Sequence, residues 1–525
     1  MSDSQLPMRA RAAASGDSSG FALPTDGRVR ETADSGLQSK IVAAFQTVFS
    51  FPTMLATFLV GGIFLSARDF QVDPDLWWHV KVGESILATH RFPATDPYSF
   101  TVHGQPWLAY EWLGEAVLAA AQRIGGIRGL EVLLIALGSA VMLAIYAFAT
   151  IRARNSKAGF AATAILLSLA AASFSLRPQM FGYLFLVLTL TALELFRQGK
   201  RSALWWLPLL MLLWVNTHGS WIIGMGVIFA HWMSGLFEFR IGGIEARRWS
   251  EVERKRISLA FLLCLCTLPI TPYGTRIAMS PIEFAASLPL NIAYILEWQP
   301  MQFNLFGGKI FLLLLFGFIV AQTSMKLTWR LEEFGLYLFG TMMAFLHIRF
   351  LLLFVPFAAP IFAMILARWI KGYERRKDRL LLNALLMAGV AIALVHYFPS
   401  RDALEKIVAQ RWPVGAVEYL DRHEVPGPMY NAYFYGGYLV WSRGPEHKVF
   451  IDGRGDLYER GGVFADYLHI SRIQPGALGV LRNYGIQSCL LERDEPLGTV
   501  LAASTDWKRI YQDGVAAIYV RQPRL

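Results

Sequence analysis

The chain has 525 residues, of which 54% are hydrophobic and 17% are charged, and its mean hydropathy is +0.39. A soluble domain usually carries about a quarter charged residues, so the composition excludes an ordinary soluble protein and predicts an integral membrane protein. Most of the basic residues behind the net charge of +10 lie in short loops between apolar runs. Such loops are expected on the cytoplasmic side of a membrane and require no nucleic-acid partner.

The first segment, residues 1–40, is polar and rich in Ser, Ala, Gly and Arg. It lacks apolar periodicity, which predicts a disordered cytoplasmic tail and not a signal peptide. Residues 41–398 form the predicted transmembrane domain, with a large external loop at 67–127 after the first apolar run.

Eleven apolar runs in this domain come near the roughly twenty residues that a helix needs to cross the hydrocarbon core. They lie at 44–66, 128–150, 158–175, 179–196, 203–216, 219–237, 257–270, 306–323, 332–347, 350–369 and 380–397. We therefore predict an all-α polytopic membrane domain of about eleven transmembrane helices.

The basic residues predict the orientation of this domain. If the N-terminus is cytoplasmic, every cytoplasmic loop carries a basic cluster, found at 152–157, 197–201, 247–256, 326–330 and 371–379. The loops on the other side are nearly bare of such clusters, as the positive-inside rule requires. An odd number of spans then places both the first loop and residues 399–525 outside the cytoplasm.

Residues 399–525 are too polar for a membrane, and they alternate short β-like runs with helical sequence. The β-like runs are Val449–Ile451, Ser488–Leu491 and Ala516–Val520, and the helical stretch lies around Gly476–Tyr484. This pattern predicts an extracytoplasmic α/β domain. The pair Gly436–Gly437 is expected to permit a tight turn after an aromatic strand.

The first loop contains DPDLWWH and carries Asp73, Asp75, His79 and Glu111 beside four tryptophans. Two aspartates just outside a helix end can hold a sugar hydroxyl, take its proton or ligate a cation. The alternative is a pair of amphipathic helices on the bilayer surface, with the tryptophans as anchors and the carboxylates facing water.

Isolated polar residues recur at the outer ends of the predicted spans. They are Arg177, Asn216, His218, Arg276, Glu297 and Arg349. A charge in hydrocarbon costs about 2.5–3.5 kcal/mol on insertion scales, so such residues usually face a cavity or a partner. Arginines on one face predict a polar cavity for an anionic ligand such as a lipid phosphate, which guanidinium groups bind through paired hydrogen bonds. The alternative for each arginine is that it extends to the lipid head groups.

The string IDGRGDLY in the C-terminal region places Asp452 and Arg454 after a predicted strand, where polar loop residues commonly have functional roles. The alternative is a structural turn with an internal Asp–Arg pair. Neither GxxxxGK[ST] nor a GxGxxG between a strand and a helix occurs, so we expect no nucleotide cofactor.

The order of cytoplasmic N-terminus, acidic first loop, apolar spans and outer domain means that residues 41–525 resemble the GT-C glycosyltransferases. These are integral membrane enzymes that take sugars from polyprenyl-phosphate carriers. The spacing of Asp73 and Asp75 is similar to the DxD-like pattern of several members. YFYGGY at 433–438 is loosely similar to the WWDYG acceptor motif but lacks its Trp-Trp-Asp core. DPDLWWH, RPQ, NxHG and FIDGR are similar to strings in uncharacterised bacterial membrane proteins.

This resemblance implies an enzyme of a bacterial inner membrane with a periplasmic C-terminal domain. The donor would be a polyprenyl-phosphate-linked sugar, and the acceptor an extracytoplasmic glycan, lipid or protein, with or without a divalent cation. The role of base or acceptor-positioning group maps onto Asp73 or Asp75, with His79 and Glu111 in the same loop. The donor phosphate would be bound by residues at the outer span ends, namely Arg177, His218, Arg276 and Arg349.

Two other functions stay open on the sequence alone. A transporter or flippase of lipid-linked glycans would show inverted repeats and a midplane site between broken helices, and neither is visible in the sequence. A scaffold or receptor would use the outer domain to bind a partner and the membrane part as an anchor.

Overall fold

The structure is a computed structural model that describes residues 40–67, 73–170, 174–287 and 289–523. Apart from Lys40, the predicted cytoplasmic tail lies outside the described residues. Helices form most of the described chain, and a small sheet lies near the C-terminus.

Fifteen helices precede residue 400 in the described ranges. They are α1 (Lys40–Val48), α2 (Phe51–Ala67), α3 (Pro74–Thr89), α4 (Trp112–Ala153), α5 (Ser156–Ala170), α6 (Gln179–Arg197), α7 (Leu207–Val215), α8 (Trp221–Ser234), α9 (Glu251–Thr267), α10 (Arg276–Ser287), α11 (Pro289–Tyr294), α12 (Phe306–Met325), α13 (Leu331–Leu346), α14 (Leu351–Leu366) and α15 (Leu380–His396). Short 3₁₀ turns occur at Arg201–Trp206, Leu296–Trp298, Ile348–Phe350 and Arg375–Lys377. A minor sheet joins β1 (Phe239–Ile241), β2 (Ile244–Ala246) and β3 (Trp329–Arg330). The described residues of all eleven predicted apolar runs are mainly helical.

Within the described residues, four helical segments are long and apolar enough to cross a membrane: α4, α6, α12 and Ile348–Leu366. Two bent helix pairs bring the number to six if each pair is one span: α1 with α2, and α15 with the helix Arg401–Arg411. Three further apolar helices are shorter than 18 residues. These lengths and compositions make the chain a membrane protein, and the number of eleven crossings stays a prediction.

Local sequence sets the ends of the helices that carry the first loop. Asp73 caps α3 because its side chain accepts a hydrogen bond from the backbone of Asp75, and Pro74 occupies the first turn, where its missing N–H costs nothing. Helix α4 is broken at Gly126, whose φ of 57° suits glycine. The part of α4 before this break belongs to the first loop, and the apolar part after it coincides with the span predicted from residue 128.

Helix α3 lies between α4 and a helix of the C-terminal region, and glycines allow both contacts. A Cβ on Gly83 would lie 2.0 Å from the carbonyl oxygen of Glu115, and one on Gly437 would lie 2.3 Å from that of Pro74. Gly437 therefore lies inside a helix that packs closely on α3. The prediction of a tight turn at Gly436–Gly437 is wrong, because these glycines provide close packing and not a change of chain direction.

The C-terminal region is an α/β unit built around a four-stranded sheet. Its elements are α16 (Arg401–Arg411), α17 (Val414–Arg422), β4 (Met429–Asn431), α18 (Tyr433–Arg443), α19 (Gly455–Arg460), α20 (Val463–Ser471), α21 (Ala477–Asn483), β5 (Ser488–Glu492), α22 (Pro496–Ala503), β6 (Trp507–Gln512) and β7 (Ala516–Arg521). The strand order is β4-β5-β7-β6, with β4 and β5 parallel and the other pairs antiparallel.

Two of the three predicted strands and the predicted helix of this region are confirmed as β5, β7 and α21. The strand predicted at Val449–Ile451 is wrong. The backbone of Val449 instead exchanges hydrogen bonds with Tyr98 and Phe100 of the first loop, which leaves the segment outside the sheet. Sequence reasoning missed β4, a strand of only three residues, and β6, whose side chains are half-buried or exposed.

The first loop packs against the C-terminal region through aromatic side chains. Trp77, Trp78 and Trp107 are 2%, 6% and 5% exposed, and the ring of Trp77 lies 4.6 Å from that of Trp441. These tryptophans are core residues, so the alternative in which they anchor surface helices in the bilayer is wrong. The same packing places the loop and the C-terminal region on one side of the molecule.

Cysteine labelling tests which side of the membrane this is. In a Cys266→Ser background, cysteines at the exposed positions Gln105 and Gln474 are expected to react with a membrane-impermeant thiol reagent in intact cells. A cysteine at Glu374, in a predicted cytoplasmic loop, is expected to react only after the cells are permeabilised. Labelling of position 374 alone in intact cells would reverse the predicted orientation.

Candidate functional site

The first cluster at the site is built around Arg177, in the loop before α6. Its Nη2 lies 2.6 Å from Oδ2 of Asp73 and 2.7 Å from Oε1 of Glu297, and its Nη1 lies 3.0 Å from Oδ2 of Asp75. The Arg177 side chain is only 14% exposed. Arg177 therefore ties together three distant segments of the chain and does not extend to lipid head groups.

The charges in this cluster do not balance, because three carboxylates share one guanidinium. Burial raises the pKa of Asp75 to about 7, although Arg177 opposes the shift, and repulsion from Asp73 and Glu297 adds to it. Burial would also raise the pKa of Glu297, but Arg177 and Arg349 outweigh it and hold that pKa below its usual value. The pKa of Arg177 stays well above the ordinary value despite burial, because the carboxylates stabilise its charge.

The two aspartates already use most of their hydrogen-bonding capacity. Besides Arg177, Asp75 accepts a hydrogen bond from Nε1 of Trp78 at 3.2 Å, and the backbone of Gly453 lies so close that a Cβ there would come within 1.7 Å of Oδ1. Asp73 caps α3 as well as pairing with Arg177. Asp73 and Asp75 therefore link α3 to the loop before α6 and to the C-terminal region.

The second cluster centres on Glu111, which directly precedes α4. Its Oε1 lies 3.3 Å from Nε2 of His218, and its Oε2 lies 3.6 Å from Nε2 of His79. Nδ1 of His79 faces Oε1 of Glu115 at 3.2 Å. Within the described residues no arginine or lysine forms an ion pair with Glu111, so its polar neighbours at close range are two imidazoles.

The hydrogen bonds of His218 determine its tautomer. The backbone N–H of Ser220 donates to Nδ1 of His218 at 3.0 Å, so Nδ1 is an acceptor and the ring proton lies on Nε2, facing Glu111. Burial, with Arg349 and Arg177, lowers the pKa of His218 to about 3, so the ring is neutral at physiological pH.

Glu111 has the electrostatics of a proton acceptor. Burial raises its pKa to about 8, while Arg349 and Arg177 act in the opposite direction and Asp75 and Asp456 add to the rise. A carboxylate with a pKa near the working pH is matched to general-base chemistry.

Arg349 lies next to this cluster, beside α14. Its guanidinium stacks 4.4 Å from the ring centre of Trp298 and donates one long hydrogen bond, of 3.4 Å, to Oε1 of Gln179. In the ranges that the structure describes, no carboxylate lies within ion-pair distance of it. Arg349 is therefore a half-buried cation with unused hydrogen-bond donors. Of the cations near Glu111, it lowers the pKa of that carboxyl group the most.

Two predicted site residues, Asn216 and Arg276, form no ion pair or side-chain hydrogen bond with the charged groups of these clusters within the described part of the chain. The side-chain amide of Asn216 links three segments of the chain. Its Nδ2 donates to the carbonyl oxygens of Leu212 and Ile270, and its Oδ1 accepts from Nε1 of Trp112. Arg276 is exposed at the beginning of α10, and its side chain forms no hydrogen bond or ion pair with any described residue. The structure thus brings Arg177 and Arg349 to the site, whereas no contact among the described residues joins Arg276 to it.

Asp452 and Arg454 form a buried structural network. They are 0% and 2% exposed, and the guanidinium binds Asp452 through Nε at 2.9 Å and Nη2 at 2.7 Å. Nη1 of Arg454 also donates to Oδ1 of Asp96 in the first loop at 2.6 Å. The internal Asp–Arg pair was the alternative to a functional role, and this geometry corresponds to it. The network joins the C-terminal region to the loop.

Sequence reasoning missed several polar groups at the site. Glu115 lies four residues after Glu111, a spacing that places both on one face of a helix and was available as a signal. Ser220 lies two residues after His218 in the string THGS. No local pattern marks Tyr110, whose pKa burial raises well above its usual value and which interacts with Asp456 and Glu111.

A divalent cation does not fit the carboxylates as they are placed. The nitrogens of Arg177 already occupy the space between Asp73, Asp75 and Glu297. Among the described residues, no group of three or more His, Cys, Asp and Glu side chains has an arrangement that would hold a metal ion.

No protein-family model and no curated protein sequence matches this chain. Solved structures with a similar fold include AglB, the oligosaccharyltransferase of the archaeon Archaeoglobus fulgidus, in complex with an inhibitory peptide and a dolichol-phosphate. That likeness has 13% sequence identity and a TM-score of 0.47, and it covers 89% of this chain and 74% of AglB.

A second similar structure is ArnT from Cupriavidus metallidurans bound to undecaprenyl phosphate, with 13% identity, a TM-score of 0.45 and coverage of 93% of this chain and 100% of ArnT. A third is the mycobacterial arabinofuranosyltransferase AftD, with 14% identity, a TM-score of 0.46 and coverage of 89% of this chain and 41% of AftD. These solved structures are GT-C glycosyltransferases. Since every TM-score is below 0.5, the function proposed below rests on the geometry of the site.

Proposed function

We propose that the chain is a membrane glycosyltransferase that moves a sugar from a polyprenyl-phosphate-linked donor to an acceptor outside the cytoplasm. The observation that carries the proposal is that Arg349 lies near Glu111 without forming an ion pair with it. One is a cation without a carboxylate partner in the described part of the chain, and the other is a carboxylate with a raised pKa and only imidazoles close by. A phosphate-linked sugar needs both groups, one at its leaving group and one at the attacking nucleophile.

Arg349 suits the donor phosphate. Its guanidinium keeps free donors in a planar fork that matches phosphate oxygens, and stacking on Trp298 fixes its plane. The negative charge that develops on the departing phosphate would be stabilised there. Arg177 adds positive charge nearby, but its nitrogens are engaged by Asp73, Asp75 and Glu297.

Glu111 suits the base. In the transfer step it would take the proton of the acceptor's nucleophile while that atom forms a bond to the anomeric carbon of the sugar. The bond from this carbon to the phosphate oxygen breaks, and the electron pair leaves with the polyprenyl phosphate. His79 and His218 hold the carboxylate in place.

The acceptor would be a glycan, lipid or protein in the periplasm. The first loop and the C-terminal region pack together on one side of the molecule, and Asp456 of α19 influences Glu111 electrostatically. The C-terminal region is thus close enough to the proposed base to bear on acceptor choice. The proposed location is the bacterial inner membrane.

The direct test is the release of free polyprenyl phosphate from polyprenyl-phosphate sugars by the full-length protein in nanodiscs, with cell-envelope extract as the acceptor source. We expect release that depends on Glu111 and Arg349. Movement of the intact donor across liposome membranes without release would favour the flippase. Neither release nor binding of any such lipid would favour the scaffold.

Replacement of Arg349 by Lys tests the phosphate role on its own. Lys keeps the charge but not the planar fork, so we expect affinity for a polyprenyl-phosphate analogue to fall about 10–100-fold, the range for losing a charged hydrogen bond. Binding would be measured on purified protein in nanodiscs. Arg276→Lys is the matched control, since Arg276 is exposed and contacts none of the described charged groups of the two clusters. Equal affinity of Arg349→Lys and wild type would contradict the phosphate site.

A further inference from the structure

Glu115 is a buried carboxyl group that the proposed reaction leaves without a role. Its side chain is 1% exposed. Among the described residues, its one side-chain hydrogen bond joins Oε1 to Nδ1 of His79 at 3.2 Å, and Oε2 has no hydrogen-bond partner. The close crossing of α3 and α4 at Gly83 fixes the position of the Glu115 backbone relative to His79.

An ionised Glu115 would be costly in this position. Taking a carboxylate out of water costs several kcal/mol even after relaxation, and a single bond to an imidazole that leaves one oxygen unsatisfied does not offset that cost. The charged groups that act on Glu115 are Glu111, which repels a second negative charge, and Arg454, which is already bound to Asp452 and Asp96. The neutral acid satisfies the geometry at lower cost, because its O–H donates to Nδ1 of His79.

We infer that Glu115 is a neutral carboxylic acid that positions the base by fixing the tautomer of His79. With Nδ1 accepting from Glu115, the ring proton of His79 lies on Nε2, which faces Oε2 of Glu111 at 3.6 Å. The inference rests on the proposed function, in which Glu111 takes the proton of the acceptor.

His218 also directs a ring N–H at Glu111, from the opposite side to His79. Ser220 makes Nδ1 of His218 an acceptor, so its Nε2–H faces Oε1 of Glu111 at 3.3 Å. Each oxygen of Glu111 thus meets one imidazole N–H, from α3 on one side and from the loop before α8 on the other. These two donors favour the ionised form of Glu111 and orient it, while burial and the nearby Asp75 and Asp456 oppose ionisation and Arg349 and Arg177 support it.

Infrared spectroscopy tests the protonation state without any transfer reaction. The full-length protein at neutral pH is expected to show the C=O stretching band of a buried carboxylic acid that shifts in D₂O and is missing in Glu115→Gln. Persistence of every such band in Glu115→Gln would overturn the inference, even if the protein transfers sugar. The converse also holds: a lost band with no sugar transfer would leave Glu115 neutral and reject the proposed function alone.

Kinetics test the positioning role. Glu115→Leu removes the donor to His79, so we expect turnover to fall about tenfold or more, the effect of roughly 1.4 kcal/mol from one lost hydrogen bond, with little change in KM. Loss of an N–H facing ionised Glu111 raises the pKa of that base, so the pH at half-maximal rate should move upward. Glu115→Gln, whose amide N–H can donate to Nδ1, should restore most of the lost turnover and return the profile toward that of the wild type.

Thermal melting and binding of a polyprenyl-phosphate analogue would show that both Glu115 variants are folded. Should Glu115→Leu misfold, the pH profile of Glu115→Gln still tests the positioning role, because it is expected to stay close to that of the wild type. An unchanged profile and high turnover in a folded Glu115→Leu variant would overturn the positioning role. A Gln variant as impaired as the Leu variant would overturn it too, because it would show that an ionised carboxylate is needed.

Discussion

Glu111→Gln is expected to lower the rate of sugar transfer by about 10²–10⁴-fold, the usual contribution of a positioned base. Gln keeps the size of the side chain and its carbonyl oxygen can still face an imidazole N–H, but it cannot take a proton. Turnover of the purified protein in nanodiscs would be measured with saturating donor. Binding of the donor analogue should remain close to that of the wild type, because the phosphate contacts Arg349 in the proposed complex.

The pH dependence provides an independent check on the same group. A base must be ionised to act, and burial raises the pKa of Glu111 to about 8, so kcat/KM should rise with pH and level off above that value. Asp75→Asn is the informative comparison, because Asp75 has a raised pKa but is bound to Arg177 and Trp78. If Asp75→Asn abolished transfer in a folded protein while Glu111→Gln retained it, Asp75 would be the base, as the DxD-like spacing had suggested.

Arg454→Met is expected to destabilise the protein by about 3–5 kcal/mol, the cost of removing one partner from a buried ion pair. The variant leaves Asp96 and Asp452 buried without their counter-charge, at the contact between the first loop and the C-terminal region. Chemical denaturation in detergent, followed by the fluorescence of the tryptophans buried at this contact, would measure the loss.

Arg460→Met is the matched control, because Arg460 ends the short helix α19 that begins directly after Arg454, its side chain is 48% exposed, and it lies 3.8 Å from its partner Asp456. We expect a change within about 0.5 kcal/mol for this surface substitution. Comparable destabilisation by the two variants would show that burial of the Arg454 network contributes little and that the domain contact depends on its apolar packing.

The structure assigns different roles to the first-loop carboxylates and to the Arg454 network, and this difference could not be predicted from the sequence. DPDLWWH and IDGRGDLY look equally suited to chemistry as strings. In the folded chain, Asp452 and Arg454 are sealed between two parts of the protein, while the glycine between them lies against Asp75. A motif with charged residues after a predicted strand can therefore support a site without facing its ligand.

Several features were fixed by local sequence. Apolar runs of near-spanning length specify helices regardless of their partners, which is why the described residues of all eleven runs are mainly helical. The strands β5 and β7 were predictable because short β-branched and leucine-rich runs between polar turns usually form strands. The isolated charges at the span ends predicted a common polar cavity. Arg177 and Arg349 do lie near Glu297 and His218, and the cavity itself stays a prediction.

Tertiary structure alone decided the roles within that site. Arg177 pairs with a glutamate 120 positions away, and Arg454 pairs with an aspartate 358 positions away. Whether a carboxylate is neutralised by such a partner, left beside imidazoles as Glu111 is, or kept as a buried acid as we infer for Glu115, depends on distance and burial. Sequence determines which side chains are ionisable, but their charge states follow from desolvation and from neighbours that only the folded chain brings within a few ångströms.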